Sequence, residues 1–259
     1  MNQTGKKILI GLGVAIFWIG AWELLCLAVA SELLLPSPLQ VVTVWFDLAK
    51  TSTFWVATGY SLLRISVGFL LAVLCGCLLA AFTARVKLAK ALITPILKVI
   101  RAAPVASFII LALVWIKTDS LPLWISFLMV LPIVWANVEE GILQVDGKLL
   151  EVAKVYHLPA KKVWREIRFP SLVPYLLASM KTGLGFAWKS GIAAEIICRP
   201  TTSIGNYLQK AKLSLETPSV FAWTLTVILL SVLLEKLLTK LVSQKGKRFE
   251  QSKKEGRAV

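Results

Sequence analysis

The chain has 259 residues, of which 57% are hydrophobic and only 17% charged, and its mean hydropathy is +0.76. A soluble domain averages about 45–50% apolar and about 25% charged, and the excess here arrives in continuous blocks. At about 1.5 Å rise per residue, roughly 20 apolar residues cross a hydrocarbon core about 30 Å thick, and blocks of that kind exclude the alternating strands of a barrel. The fold class is therefore an all-α integral membrane protein. The net charge of +15 would point to nucleic acid in a soluble protein. With no basic recognition helix or stacking platform beside it, the charge reads as a topology signal and nucleic acid is set aside.

In chain order, the first apolar block runs from Ile8 to Ala30 behind Lys6 and Lys7. Ala28-Val29-Ala30 resembles a signal-peptidase site, but the block is longer than a signal core and holds Trp22 and Glu23, so a retained helix is expected. After Pro36-Ser37-Pro38, the segment Pro38 to Lys50 reads as a short amphipathic helix at the interface, with Val41, Val44, Trp45 and Leu48 on one side. Further spans are expected at Thr58 to Ala84, at Leu92 to Ile116 interrupted by Pro95 and Pro104, and at Leu121 to Glu139. The fifth, Leu172 to Cys198, is the least apolar; the sixth covers Val220 to Leu241, and a disordered basic tail follows from Ser243. This divides the chain into an N-terminal part (1–57), a core of five spans (58–242) with an internal loop (141–170), and a tail (243–259). Cys26, Cys75, Cys77 and Cys198 lie in or beside spans without metal-ligand spacing, and His157 is the single histidine, so the cysteines read as small packing residues and no metal or cofactor is expected.

Lysine and arginine counts orient the chain. With six spans and the N-terminus inside, 18 of them fall on the inner side and five on the outer side (Lys50, Lys117, Arg199, Lys210, Lys212). That bias places both termini in the cytoplasm. The longest inner loop lies between spans four and five. Lys148 to Tyr156 favours a helix, Leu158-Pro159 interrupts it, and Pro159 suits the first position of a second helix. On that second helix Ala160, Val163, Trp164 and Ile167 recur at helical spacing, opposite Lys161, Lys162, Arg165 and Arg168, before Phe169-Pro170 ends it. Periodicity leaves two readings open: a basic helix on anionic lipid, or a helix docked into a groove of a cytoplasmic partner.

The run Glu151-Val152-Ala153-Lys154-Val155-Tyr156-His157-Leu158-Pro159-Ala160, continued by Ile167-Arg168-Phe169-Pro170, resembles the EAA loop of binding-protein-dependent ABC importer permeases. Glu151, Ala153, Ile167 and Pro170 match that pattern, whereas Val152, Phe169 and His157 depart from it. His157 stands where the family has a turn glycine; His tolerates unusual backbone angles better than a β-branched residue does. The similarity extends from about Leu34 to Leu241 through Leu35-Pro36-Ser37-Pro38, Ser61-Leu62-Leu63-Arg64, the stretch from Arg101 to Pro104, Val173-Pro174-Tyr175 and Ala194-Glu195, all in the style of the nitrate/sulfonate/taurine-type branch. The resemblance implies a type I importer permease in a bacterial inner membrane. It implies two ABC ATPase subunits, an external solute-binding protein and a second permease copy as partners. It also implies that Glu151, Val152, Ala153, Tyr156, His157, Leu158 and Pro159 form the element that couples to the ATPase. The chain has no Walker phosphate loop, so hydrolysis falls to a partner and the chain is not itself an enzyme.

Ionisable residues within spans are costly and tend to face protein or water. Arg64, Arg101, Lys181, Lys189 and Glu195, with Trp188 beside them, are the translocation-pathway candidates; snorkelling is the other reading for Arg64, Arg101 and Lys181. Gly183, Gly185, Gly191 and Ala187 predict close packing of the fifth span, read as the subunit interface. A net positive pathway suits an anionic solute such as nitrate, a sulfonate or a carboxylate, and the same branch suggests thiamine-precursor pyrimidines too. The alternative is a stand-alone ion-coupled transporter or channel. An intramembrane enzyme lacks any nucleophile–base or metal constellation here, and an exporter would lack the EAA-like loop.

Overall fold

The computed structural model describes residues 3–255, and side chains from Leu9 to Lys240. All regular structure among these residues is helical: α1 (Gln3–Val29), α2 (Pro38–Ala49), α3 (Ser52–Thr83), α4 (Lys87–Ala102), α5 (Val105–Ala112), α6 (Leu121–Leu143), α7 (Gly147–Val155), α8 (Ala160–Val163), a π-helical turn (Trp164–Arg168), α9 (Phe169–Cys198), α10 (Ile204–Leu213) and α11 (Thr217–Glu255). Four of them, α1, α3, α6 and the Thr217–Lys240 part of α11, are long and apolar enough to cross a membrane. The pair α4–α5 makes a fifth if it forms one broken span. Helix α9 has the length, at 30 residues, but a more polar composition.

The core is built on α6, which packs between α3 and α9. It supplies Ile125, Val130, Val134 and Val138, each at most 1% exposed. The small residues of α9 are what permit this approach. Gly183 faces Val130 and Phe69, Ala187 is fully buried, and a methyl group on Gly191 would come within 2.5 Å of Ile65 Cγ1 and 2.6 Å of Ser126 Oγ. Gly183, Ala187 and Gly191 thus pack inside one chain, on α3 and α6. Gly191→Val is expected to cost about 1–3 kcal/mol through overpacking, read as a lowered melting temperature of the detergent-solubilised protein.

Proline chemistry shapes the rest. Pro104 has no N–H and forces Ala103 out of the helical region (φ −74°, ψ 140°), so α4 stops and α5 leaves at 106°. The expected third span is therefore a sharply bent pair, and of its two prolines only Pro104 breaks the helix; Pro95 lies within α4. Pro170 does not end the basic helix either. The chain stays helical from Ala160 to Cys198, and the π turn, with Phe169 N–H bonded to the Trp164 carbonyl, fits a register shift beside Pro170, which has no N–H to give. Pro159 is the residue capping α8 rather than the first residue within it.

Helix α2 is closed by a capping box between Ser37 and Gln40, and the predicted face is the packed one: Val41 is buried and Trp45 Nε1 donates to Thr226 Oγ1 of α11 at 3.0 Å. Its packed partner is thus α11. Since α3 already begins at Ser52, a boundary at 57/58 falls inside a helix. The last helix continues to Glu255, through the segment read from sequence as a disordered tail. That segment has no proline and many Lys, Gln and Glu, and a helix already nucleated upstream propagates through such residues without a new nucleus; residues 256–259 lie outside the described residues.

Candidate functional site

The loop that resembles an EAA motif is an ordered helix–turn–helix. Asp146 caps α7 by accepting the Lys148 N–H at 2.9 Å, and Ala153 anchors the helix as its one buried residue. Leu150 is half-buried and the rest of the helix, Glu151 included, is exposed, Val152 at 52% and Val155 at 73%, followed by Tyr156 at 74%. Large apolar groups beside a charged one are thus left uncovered on this side of α7. Val155 belongs to this face although its spacing alone did not single it out; the signal was its position three residues from Val152 on a short amphipathic helix.

The turn holds. His157 takes φ 46°, the left-handed conformation that a glycine normally supplies, and Leu158 N–H bonds back to the Ala153 carbonyl at 2.9 Å while His157 N–H bonds to Lys154. These bonds satisfy carbonyls at the end of α7 in the manner of a Schellman motif. His157 is exposed, Leu158 half-buried and Pro159 exposed, so the turn residues shape the loop and the helix residues present its surface. A left-handed non-glycine costs about 1–2 kcal/mol. His157→Gly is therefore expected to stabilise the turn by about 1 kcal/mol and slow amide exchange at the end of α7 by ~5-fold; unchanged exchange would mean the turn carries no strain.

The intramembrane candidates separate into two groups. Arg101, Lys181 and Lys189 are exposed on the protomer and have no ion-pair partner among the described residues. Lys181 lines a crevice between α9 and α11 with Thr182, Glu235, Leu238 and Thr239. Trp188 and Glu195, by contrast, are sealed inside. Trp188 is 1% exposed and its Nε1 donates to the Val227 carbonyl of α11 at 3.0 Å. Glu195 is 0% exposed, and its Oε2 accepts from Ser61 Oγ at 2.8 Å and from Gly205 N–H at 3.1 Å, while Ser61 Oγ accepts the Ile204 N–H at 3.0 Å. A carboxylate at the N-terminus of α10 meets the positive end of that helix dipole. Within the protomer both residues thus serve packing and capping, Trp188 on α11 and Glu195 at the start of α10. Arg64, nearby, donates to the Thr202 carbonyl at 2.8 Å and stands 3.5 Å from Asp119, which accepts the Thr201 N–H.

Bundle and loop together define a multi-pass α-helical membrane protein of the transporter-permease class. The solved structure described as "Crystal structure of an amino acid ABC transporter with histidines" shares this fold, with a TM-score of 0.54 over 72% of this chain and 91% of that one at 18% identity. A family model described as "Binding-protein-dependent transport system inner membrane component" matches residues 68–245, and the chain belongs to that family. Its relatives include the nitrate import permease protein NrtB of Leptolyngbya laminosa, 27% identical over 93% of this chain and 90% of that protein. The aliphatic sulfonates transport permease protein SsuC of Bacillus subtilis is 27% identical over 79% and 74%, and the taurine transport system permease protein TauC of Escherichia coli is 24% identical over 83% and 80%.

Proposed function

We propose that this chain is the membrane-spanning subunit of an ATP-driven importer and forms, with a second copy of itself, the path for a small anionic solute handed over by an external binding protein. The observation that carries the reading is the outward face of α7, with Glu151, Val152, Val155 and Tyr156 exposed beyond a tightly turned His157, in a chain of this family that has no phosphate loop of its own. An amphipathic helix seated in a groove is a common way for two subunits to exchange force. On this reading α7 is the coupling helix, two ATPase subunits bind it, and the bias of basic residues puts the loop and both termini on the cytoplasmic side of a bacterial inner membrane. Six crossings follow when the bent pair α4–α5 and the more polar α9 each count as one.

The solute class is supported by charge. Arg101, Lys181 and Lys189 are cations without an ion-pair partner on helices of a membrane bundle, where an unpaired charge is tolerated only toward protein or water. A pathway lined by them favours nitrate, a sulfonate or a carboxylate, in keeping with the names of the nitrate, sulfonate and taurine relatives; a thiamine-precursor pyrimidine is the neutral candidate. The test is purification of the tagged protein in mild detergent from its native membrane, with co-purifying chains identified by mass spectrometry. A Walker-type ATPase in the preparation is the expected result. This chain alone, still transporting after reconstitution, would overturn the reading in favour of an ion-coupled transporter or channel.

A further inference from the structure

At the α7 end of the bundle lies a buried polar cluster that neither the loop nor the pathway employs. Glu139, in the last two turns of α6, is 6% exposed. Its Oε1 accepts from Thr83 Oγ1 at 2.9 Å and its Oε2 lies 3.1 Å from Lys90 Nζ. One turn earlier on α6, Trp135 Nε1 donates to the same Thr83 hydroxyl at 2.9 Å. A single carboxylate therefore ties together the last residue of α3, the first turn of α4 and the end of α6. A buried carboxylate is costly unless it is paired and hydrogen-bonded, and here both oxygens are engaged.

The position of this group matters more than its strength. Only Gln144 to Asp146 separate α6 from α7, so whatever displaces α7 acts first on the end of α6. Helix α4 also packs on the bundle through Leu97, its one fully buried residue, with Ile93 and Ile100 partly buried beside it, and beyond Pro104 the chain turns by 106° into α5. The Lys90 side chain is 44% exposed against 8% for Glu139, so the pair is accessible to water from the lysine side and can open without unpacking α6.

We infer that Glu139 and Lys90 form the link that passes displacement of α7 to the bent α4–α5 arm. With the pair closed, the end of α6 carries α3 and α4 as one body; with it open, α6 moves and the arm stays behind. The inference rests on the importer reading of α7. Glu139 acts through α6 and α4 and is a positioning residue.

The test uses the complete complex with its ATPase subunits in lipid, the native cysteines replaced by alanine, and spin labels at Leu88→Cys and Leu143→Cys. Leu88 is 69% and Leu143 58% exposed, so both labels sit in open space on α4 and α6. The label-to-label distance is measured without nucleotide and after trapping with ATP and vanadate. With the native pair, the distance between the two labels of one protomer, read in complexes in which only one of the two copies is labelled, is expected to be narrow and not to shift on trapping. Lys90→Met and, separately, Glu139→Gln should each lose that invariance, giving a broadened distribution that shifts on trapping. The exchanged pair, Lys90→Glu with Glu139→Lys, should restore the narrow distribution, which a merely structural loss would not do. A shift in the native complex, or invariance in both single variants, overturns the inference. Loss of the ATPase subunits from the native preparation would instead overturn the importer reading on which it stands.

Discussion

Tyr156→Asp in the assembled complex is expected to release the ATPase subunits during purification, while the amount of permease in the membrane and its melting temperature stay the same. The ring is 74% exposed, so nothing within the protomer depends on it. Exposed aromatic groups at the centre of a docking face are the usual anchors of an interface, and losing one costs about 2 kcal/mol or more, on the order of 30-fold in affinity. A charge added at the same point must also be desolvated in any apolar groove. ATPase copurification and the rate of ATP hydrolysis by the complex give the readout. Undiminished recovery of the ATPase would move the docking face off this helix. Ala153, although part of the motif, is a poor place to test the same idea, because it is buried and any larger residue there would disturb the seat of α7 itself.

Glu195→Leu should have a comparably large effect of a different kind. It removes the acceptor for Ser61 Oγ and for the N–H of Gly205, both in a site closed to water. Leaving buried donors unmet costs about 3 kcal/mol in total, a drop of roughly 8 °C in melting temperature for a chain of this size. Glu195→Gln keeps one acceptor oxygen and should fall between the two. Had Glu195 lined a water-filled path, both changes would leave the melting temperature unmoved and act on transport alone; melting of the purified protein distinguishes the two roles directly.

The contrast between Tyr156 and Glu195 shows what a sequence of this kind reveals. Apolar blocks long enough to span a bilayer are visible because lipid imposes one length and one composition on them, and the loop is visible because its apolar and basic residues keep helical spacing outside the bilayer. Glu195 misleads because a carboxylate inside an apolar span has two explanations, a path for solute or a cap for another helix. Only the fold brings Gly205 and Ser61 to it, from 10 residues ahead and 134 behind. Glu139 was read as the last residue of a span for the same reason: its partners Thr83 and Lys90 are remote in sequence. Pro104 and Pro95 carry identical chemistry, yet only one breaks its helix, since the outcome depends on whether the residue before each proline is held in the helical region by its neighbours. Gly183 and Gly191 announced close packing correctly, and that their neighbours are α3 and α6 while Gly185 faces Glu235 of α11 is a matter of topology.

The unbroken helical course from Ala160 through the π turn to Cys198 makes the loop and the far side of the bundle parts of one stiff member, about 58 Å long at roughly 1.5 Å per residue. That length is about twice the thickness of the hydrocarbon layer. At its far end the chain reverses at Arg199 (φ 53°) and Glu195 holds the start of α10. The π turn and Pro174, a proline inside α9, are its irregular points. Both lie nearer the loop than the far end, so the longest regular stretch of the run, from Pro174 to Cys198, lies beyond them.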